Sequence, residues 1–180
     1  MPVRSPLPTR VLLVCAAIGV ATGLLGAAAG WATLPVLAAA PFAYGLVLGS
    51  HVLPGIIAQE VMRRPLVALL SHVLAALVAS AFNPIWFPRF VGTALLFGLI
   101  QEGVAALTRY RRWGVARFFI SALIIGALIA VVVFFAVDLA ALPTWARIVY
   151  LPLAVLGPVL WTAIGLRIGT SLRRAGVAQR

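Results

Sequence analysis

Acidic residues are almost missing from this sequence: Glu60, Glu102 and Asp138 are the only three in 180 residues. Three carboxylates cannot solvate a water-exposed surface of that size, and charged residues make up 9% where a soluble domain carries about 25%. Lysine is absent, so every basic residue is Arg. Cys15 is the only cysteine, which excludes an intramolecular disulfide and a cysteine-based metal cluster. The two histidines, His51 and His72, lack metal-ligand spacing. There is no G-x-S-x-G elbow, no H-E-x-x-H pair and no G-x-x-x-x-G-K phosphate loop, so the chain reads as a non-enzyme that hydrolyses no ATP and needs no cofactor. Ser71 and His72 are neighbours on one helix and point about 100° apart, poor geometry for a nucleophile and its base.

Apolar residues fill the space these absences leave. They account for 64% of the chain, and the mean hydropathy is +1.15. That composition is an integral membrane protein. Segmentation by long apolar runs predicts six spans, at 11–34, 36–61, 66–82, 90–107, 115–137 and 148–172, between tails 1–10 and 173–180. No period-two alternation suggests a barrel, so the fold class is all-α with six transmembrane helices. The first run is too long for a cleaved signal and reads as a retained span.

The net charge of +11 then reports topology. Six spans put Arg4, Arg10, Arg63, Arg64, Arg109, Arg111, Arg112, Arg117, Arg173, Arg174 and Arg180 on one side. Only Arg89 and Arg147 lie on the other, with Arg167 near the end of the last span. The positive-inside bias places both termini in the cytoplasm of a cell membrane. No basic face is interleaved with stacking aromatics, so nucleic acid is not a partner. Pro54-Gly55 and Gly157-Pro158 interrupt spans two and six, as packing kinks or as the walls of a cavity.

Small residues recur at four-residue spacing on span one, in the pairs Ala17/Ala21, Gly19/Gly23 and Gly26/Gly30. They suit either an intramolecular seam or the docking face of a second protein. Ionisable residues inside spans are sharper, because a charge in hydrocarbon costs at least roughly 2.5–3.5 kcal/mol at the centre. Glu102, beside Gln101, is either a ligand carboxylate or the partner of Arg109. His72 and His51 are helix-to-helix hydrogen-bonding residues or ligand contacts. Interfacial ion pairing explains Glu60 beside Arg63 and Arg64. Trp31, Trp86, Asn83 and Trp161 are aromatic-belt residues, or else walls on which a flat ligand stacks.

Several segments carry a family likeness. They are Pro41-Phe42-Ala43-Tyr44-Gly45, Leu53-Pro54-Gly55-Ile56-Ile57-Ala58, Arg63-Arg64-Pro65 with Ala68-Leu69-Leu70, Gly98-Leu99-Ile100-Gln101-Glu102 and Arg109-Tyr110-Arg111-Arg112-Trp113-Gly114. In order and spacing they resemble the S-components, the substrate-binding subunits, of energy-coupling factor (ECF) vitamin transporters, in particular the YkoE-like thiamine/hydroxymethylpyrimidine group. The resemblance implies a subunit that captures a small vitamin at its outer side. It also implies as partners a transmembrane T-component and two ABC ATPases, with Ala17 and Ala21 as the contact with the T-component. It makes Glu102 the leading substrate residue, with His72, Trp31, Trp86, Asn83, Gln101, Tyr44, His51 and Trp161 completing the set. The chain departs from the pattern at His72 and Ala79, where acidic residues are expected, and at Glu60, where an uncharged one is. The lost carboxylates count against a cationic thiazolium, whereas a neutral His72 or Asn83 still hydrogen-bonds an aminopyrimidine. A self-contained small transporter, channel or membrane scaffold is the competing reading.

Overall fold

The computed structural model describes residues 8–136 and 138–177, and all regular structure among them is helical. Seven α-helices follow one another: α1 (Thr9–Ala39), α2 (Tyr44–Gly49), α3 (Leu53–Met62), α4 (Val67–Phe82), α5 (Phe87–Leu107), α6 (Val115–Ala136) and α7 (Thr144–Arg174). The predicted second span is α2 and α3 joined by a single 3-10 turn, Ser50–Val52. Pro54 therefore falls at the start of α3, where its missing N–H costs nothing. The other predicted break is absent: α7 runs unbroken through Pro152 and Pro158. Both outer helices exceed their predicted bounds, α1 beginning at Thr9 and passing Pro35 to Ala39, α7 reaching Arg174.

Among the described residues five segments are long and apolar enough to cross a membrane, and α4, at 16 residues, is the short one. Its length is about 24 Å against a hydrocarbon core of about 30 Å, and it sits between α1 and α5. The start of α1 lies beside the residues that follow α7, since Arg10 donates to the carbonyls of Gly176 and Val177 at 3.3 and 3.1 Å. The same end holds the α3–α4 turn. Glu60 on α3 pairs there with Arg173 on α7 at 3.0 Å and with Arg63 at 3.6 Å, as interfacial ion pairing predicts. Arg4 and Arg180 lie outside the described residues.

Glycine sets how closely the helices approach. A Cβ on Gly19 would come within 2.6 Å of Leu74 Cβ, and one on Gly23 within 2.7 Å of the Ala75 carbonyl, so this register is the seam between α1 and α4. Gly45 and Gly49 on α2 meet α7 in the same way: a Cβ on Gly49 would stand 2.6 Å from the carbonyl carbon of Gly157. Gly157-Pro158 is thus a point of backbone contact. Around it packs an apolar core that includes Tyr44, Ile56, Phe97, Phe118, Ile125 and Tyr150.

Gly49→Leu is expected to destabilise the fold by at least about 1–3 kcal/mol through overpacking, read as a lower unfolding midpoint in detergent. Gly92→Ala, where an added methyl meets nothing within 4 Å, should leave that midpoint unchanged.

Candidate functional site

At the end of the bundle away from both termini, α1, the α2–α3 segment, α4 and α5 enclose two small polar chambers. The inner one is lined by Thr22, Gly26, Ser50, His51, His72, Ala76 and Thr93, among others. The one at the mouth is lined by Thr33, Tyr44, Trp86 and Arg89. His51, Phe90 and Thr93 border both, so the two are neighbours, together termed the cleft. Each has a volume of about 20 Å³, room for little more than a water. Neither chamber as it stands has room for a larger ligand.

Local sequence explains the lining. Glycines and alanines at Gly26, Gly30, Ala75, Ala76 and Ala79 leave space that larger residues would fill. Thr22, Thr33 and Ser50 donate their hydroxyl protons to the helix carbonyls of Ile18, Ala29 and Val47, which leaves lone pairs to accept. At the mouth, Arg89 donates to the Tyr44 hydroxyl at 2.6 Å and lies over the rings of Trp86 and Tyr44 at 5.0 and 5.5 Å. No carboxylate lines either chamber. The cleft therefore offers a guanidinium, imidazoles and hydroxyls, a donor and acceptor set for a neutral polar or electron-rich ligand.

Tyr44, His51, His72 and Trp86 come together in this cleft. Asn83 stands at its rim beside Gly30, and Gln101 lies one step behind His72, bonded to it at 3.0 Å. Three expected ligand residues are elsewhere. Trp31 is 68% exposed on α1. Trp161 donates its indole N–H to the Leu46 carbonyl at 2.9 Å and packs in the core. Glu102 is buried towards the termini, where its carboxylate accepts from Leu66 N (3.0 Å), Ala68 N (2.8 Å), Gln59 Nε2 (3.3 Å) and Tyr110 Oη (3.0 Å). Those donors use its acceptor capacity and cap the start of α4. The ion pair expected with Arg109 is replaced by these contacts, and Arg109 is exposed.

Arg117, counted from the sequence among the arginines on the side of the termini, is buried in the first turn of α6. It stacks on Trp113 and Phe118 at 4.2 and 4.3 Å and donates to Gln59 Oε1 at 3.1 Å. Sequence reasoning missed Arg89 and Thr93. For Arg89 a signal existed, because it is one of two arginines standing against the charge bias. Thr93 follows Phe90 by three residues on the inward face of α5, beside Phe97 and Gln101. Ala17 and Ala21 line a separate apolar groove of about 410 Å³ between α1, α3 and α7, near the termini.

The family model described as ABC-type cobalt transport system, permease component, matches residues 10–128. No curated protein matches the chain. A solved structure described as the crystal structure of an S-component of an ECF transporter is similar, with a TM-score of 0.81 and 19% identity. The match covers 96% of this chain and 89% of that one. At that identity the likeness is one of fold.

Glu102→Gln sets an amide N–H₂ against backbone N–H donors. It should destabilise the protein by about 1–3 kcal/mol, measured by thermal unfolding in detergent.

Proposed function

This chain belongs to the family of permease components of ABC-type cobalt transport systems, and from that membership we propose that it is the substrate-binding membrane subunit of an ECF-type importer. It is a transport component and not an enzyme. In this reading ATP is hydrolysed by two partner ATPases, and a T-component couples that hydrolysis to movement of the subunit. The termini face the cytoplasm, as the arginine distribution supports, and the cleft opens outward.

The observation that carries the reading is the cleft itself: a carboxylate-free hollow with imidazoles and hydroxyls in its lining, roofed by Trp86 and Arg89 and set apart from the charged network around Glu102. Polar groups inside a membrane protein are costly and mark ligand paths. The proposed ligand is a small vitamin or vitamin precursor of the thiamine group. The uncharged hydroxymethylpyrimidine suits the cleft better than thiamine, because Arg89 repels a thiazolium cation and nothing anionic lines the wall. Ligand contacts fall to His51, His72, Tyr44, Trp86, Arg89 and Thr93, with Asn83 at the rim. Glu102 is read as structural.

A divalent cobalt ion, the cargo named in the family description, is the second reading. Two imidazoles with hydroxyls, no carboxylate or thiolate, and a guanidinium at the mouth make a poor cation site. Among the described residues no group of three or more His, Cys, Asp or Glu is placed to hold a metal. For the T-component, the groove at Ala17 and Ala21 is the proposed docking face, since small residues there admit a close helix.

Titration of the purified chain with the hydroxymethylpyrimidine, thiamine and cobalt chloride is the direct test. The pyrimidine should bind at least about tenfold more tightly than thiamine. Binding of cobalt alone would replace this reading with the metal one, and no ligand at all would return the chain to the scaffold class. Ala17→Leu with Ala21→Leu should abolish uptake in cells that also express the T-component and ATPases while leaving ligand affinity intact. Uptake by the chain alone in liposomes would refute the partner requirement.

A further inference from the structure

Gln101 is held at both ends of its side-chain amide. Its Nε2 lies 3.1 Å from the Val52 carbonyl oxygen, and its Oε1 lies 3.0 Å from His72 Nε2. A backbone carbonyl can only accept, so the N–H₂ end of the amide must face Val52. The oxygen end then faces His72, and an oxygen also only accepts. The proton between them therefore sits on His72 Nε2. A neutral imidazole protonated there carries a bare lone pair on Nδ1.

The surroundings of the ring fix where that lone pair goes. Its Nε2–Cδ2 edge is turned to Gly55 and Gly98, since Cβ atoms built on them would come within 2.9 Å of Nε2 and 3.4 Å of Cδ2. The opposite edge, with Nδ1, is left for the chamber that His72 lines. His72 has no second hydrogen-bond partner among the described residues. Gly55 belongs to the same device, because any side chain there would occupy the place of Gln101 Oε1.

We infer that Gln101 is a positioning residue that locks His72 as a hydrogen-bond acceptor at the cleft floor, so that the site selects ligands whose buried end carries an N–H or O–H donor. This rests on the cleft being the ligand site proposed above, and it narrows the substrate class. An amino-substituted ring satisfies the floor, whereas the same ring bearing methyl or a carbonyl leaves the lone pair unmet or opposed.

The test uses the full chain in lipid nanodiscs with nitrogen-labelled histidine, the two histidine signals being assigned with a His51→Gln variant. Nitrogen NMR should show His72 with a protonated Nε2 and a bare Nδ1, and Gln101→Met should convert that signal to a mixture of tautomers. In parallel, the parent chain should prefer the aminopyrimidine over its methyl-for-amino analogue by about tenfold, and Gln101→Met should bring that ratio near unity. A mixed or Nδ1-protonated His72 in the parent overturns the inference, and this arm stands even where the variant fails to fold. A ratio unchanged in Gln101→Met overturns it as well. Should neither pyrimidine bind the parent, the vitamin reading is what fails, and the spectrum alone then decides for or against the acceptor floor.

Discussion

A buried carboxylate must be surrounded by donors, and in this protein the fold around Glu102 meets that demand. Donors reach it from the α3–α4 turn, from Gln59 on α3 and from Tyr110 beyond the end of α5. Gln59 in turn accepts from Arg117 on α6, which lies against Trp113 and Phe118. Four segments of chain are thereby fixed around one carboxyl group. In a low-dielectric interior each of these bonds is stronger than in water, and each orphaned member is correspondingly costly. The left-handed backbone of Leu66, at φ 67°, is tolerated because its N–H reaches the carboxylate.

The polar work of the molecule is divided between its two ends. Towards the termini are the charges: Glu102 with its donors, and Glu60 with Arg63 and Arg173. At the other end are neutral imidazoles and hydroxyls under a single guanidinium. Gln59 and Gln101 bridge the two, because Gln59 Nε2 reaches both Glu102 and the Gln101 backbone carbonyl, at 3.3 and 3.4 Å, and the Gln101 side chain holds His72. Amides suit this middle position, since they both donate and accept without carrying charge into hydrocarbon.

Helix association follows a different rule from polar pairing. With lipid as apolar as leucine, close backbone approach replaces hydrophobic burial as the source of contact. Gly19 and Gly23 let α4 lie against α1, and Gly45 and Gly49 let α7 lie against α2. The Ala17/Ala21 register faces the other way, into the open groove. One helix thus carries an internal seam and an unfilled face, which four-residue spacing alone does not tell apart.

The sequence by itself determined that the chain spans a membrane as helices and that the arginines gather at one end; it predicted six spans, of which five are long enough to cross in the structure and the remaining one, α4, is a shorter apolar helix. Apolar run length and charge bias are properties of local composition, and both survive any arrangement of the helices. It also supplied most of the cleft, in Tyr44, His51, His72 and Trp86, because polar and aromatic residues in apolar runs stand out wherever they lie. Only the tertiary structure decided what those residues touch. Glu102 and His72 look alike on the chain, each a titratable group inside a span, yet one caps a helix near the termini and the other faces the cleft. Their surroundings are set by helices distant in sequence, α3 and α4 for Glu102 and α3 and α5 for His72. No spacing along one helix encodes which neighbour will arrive.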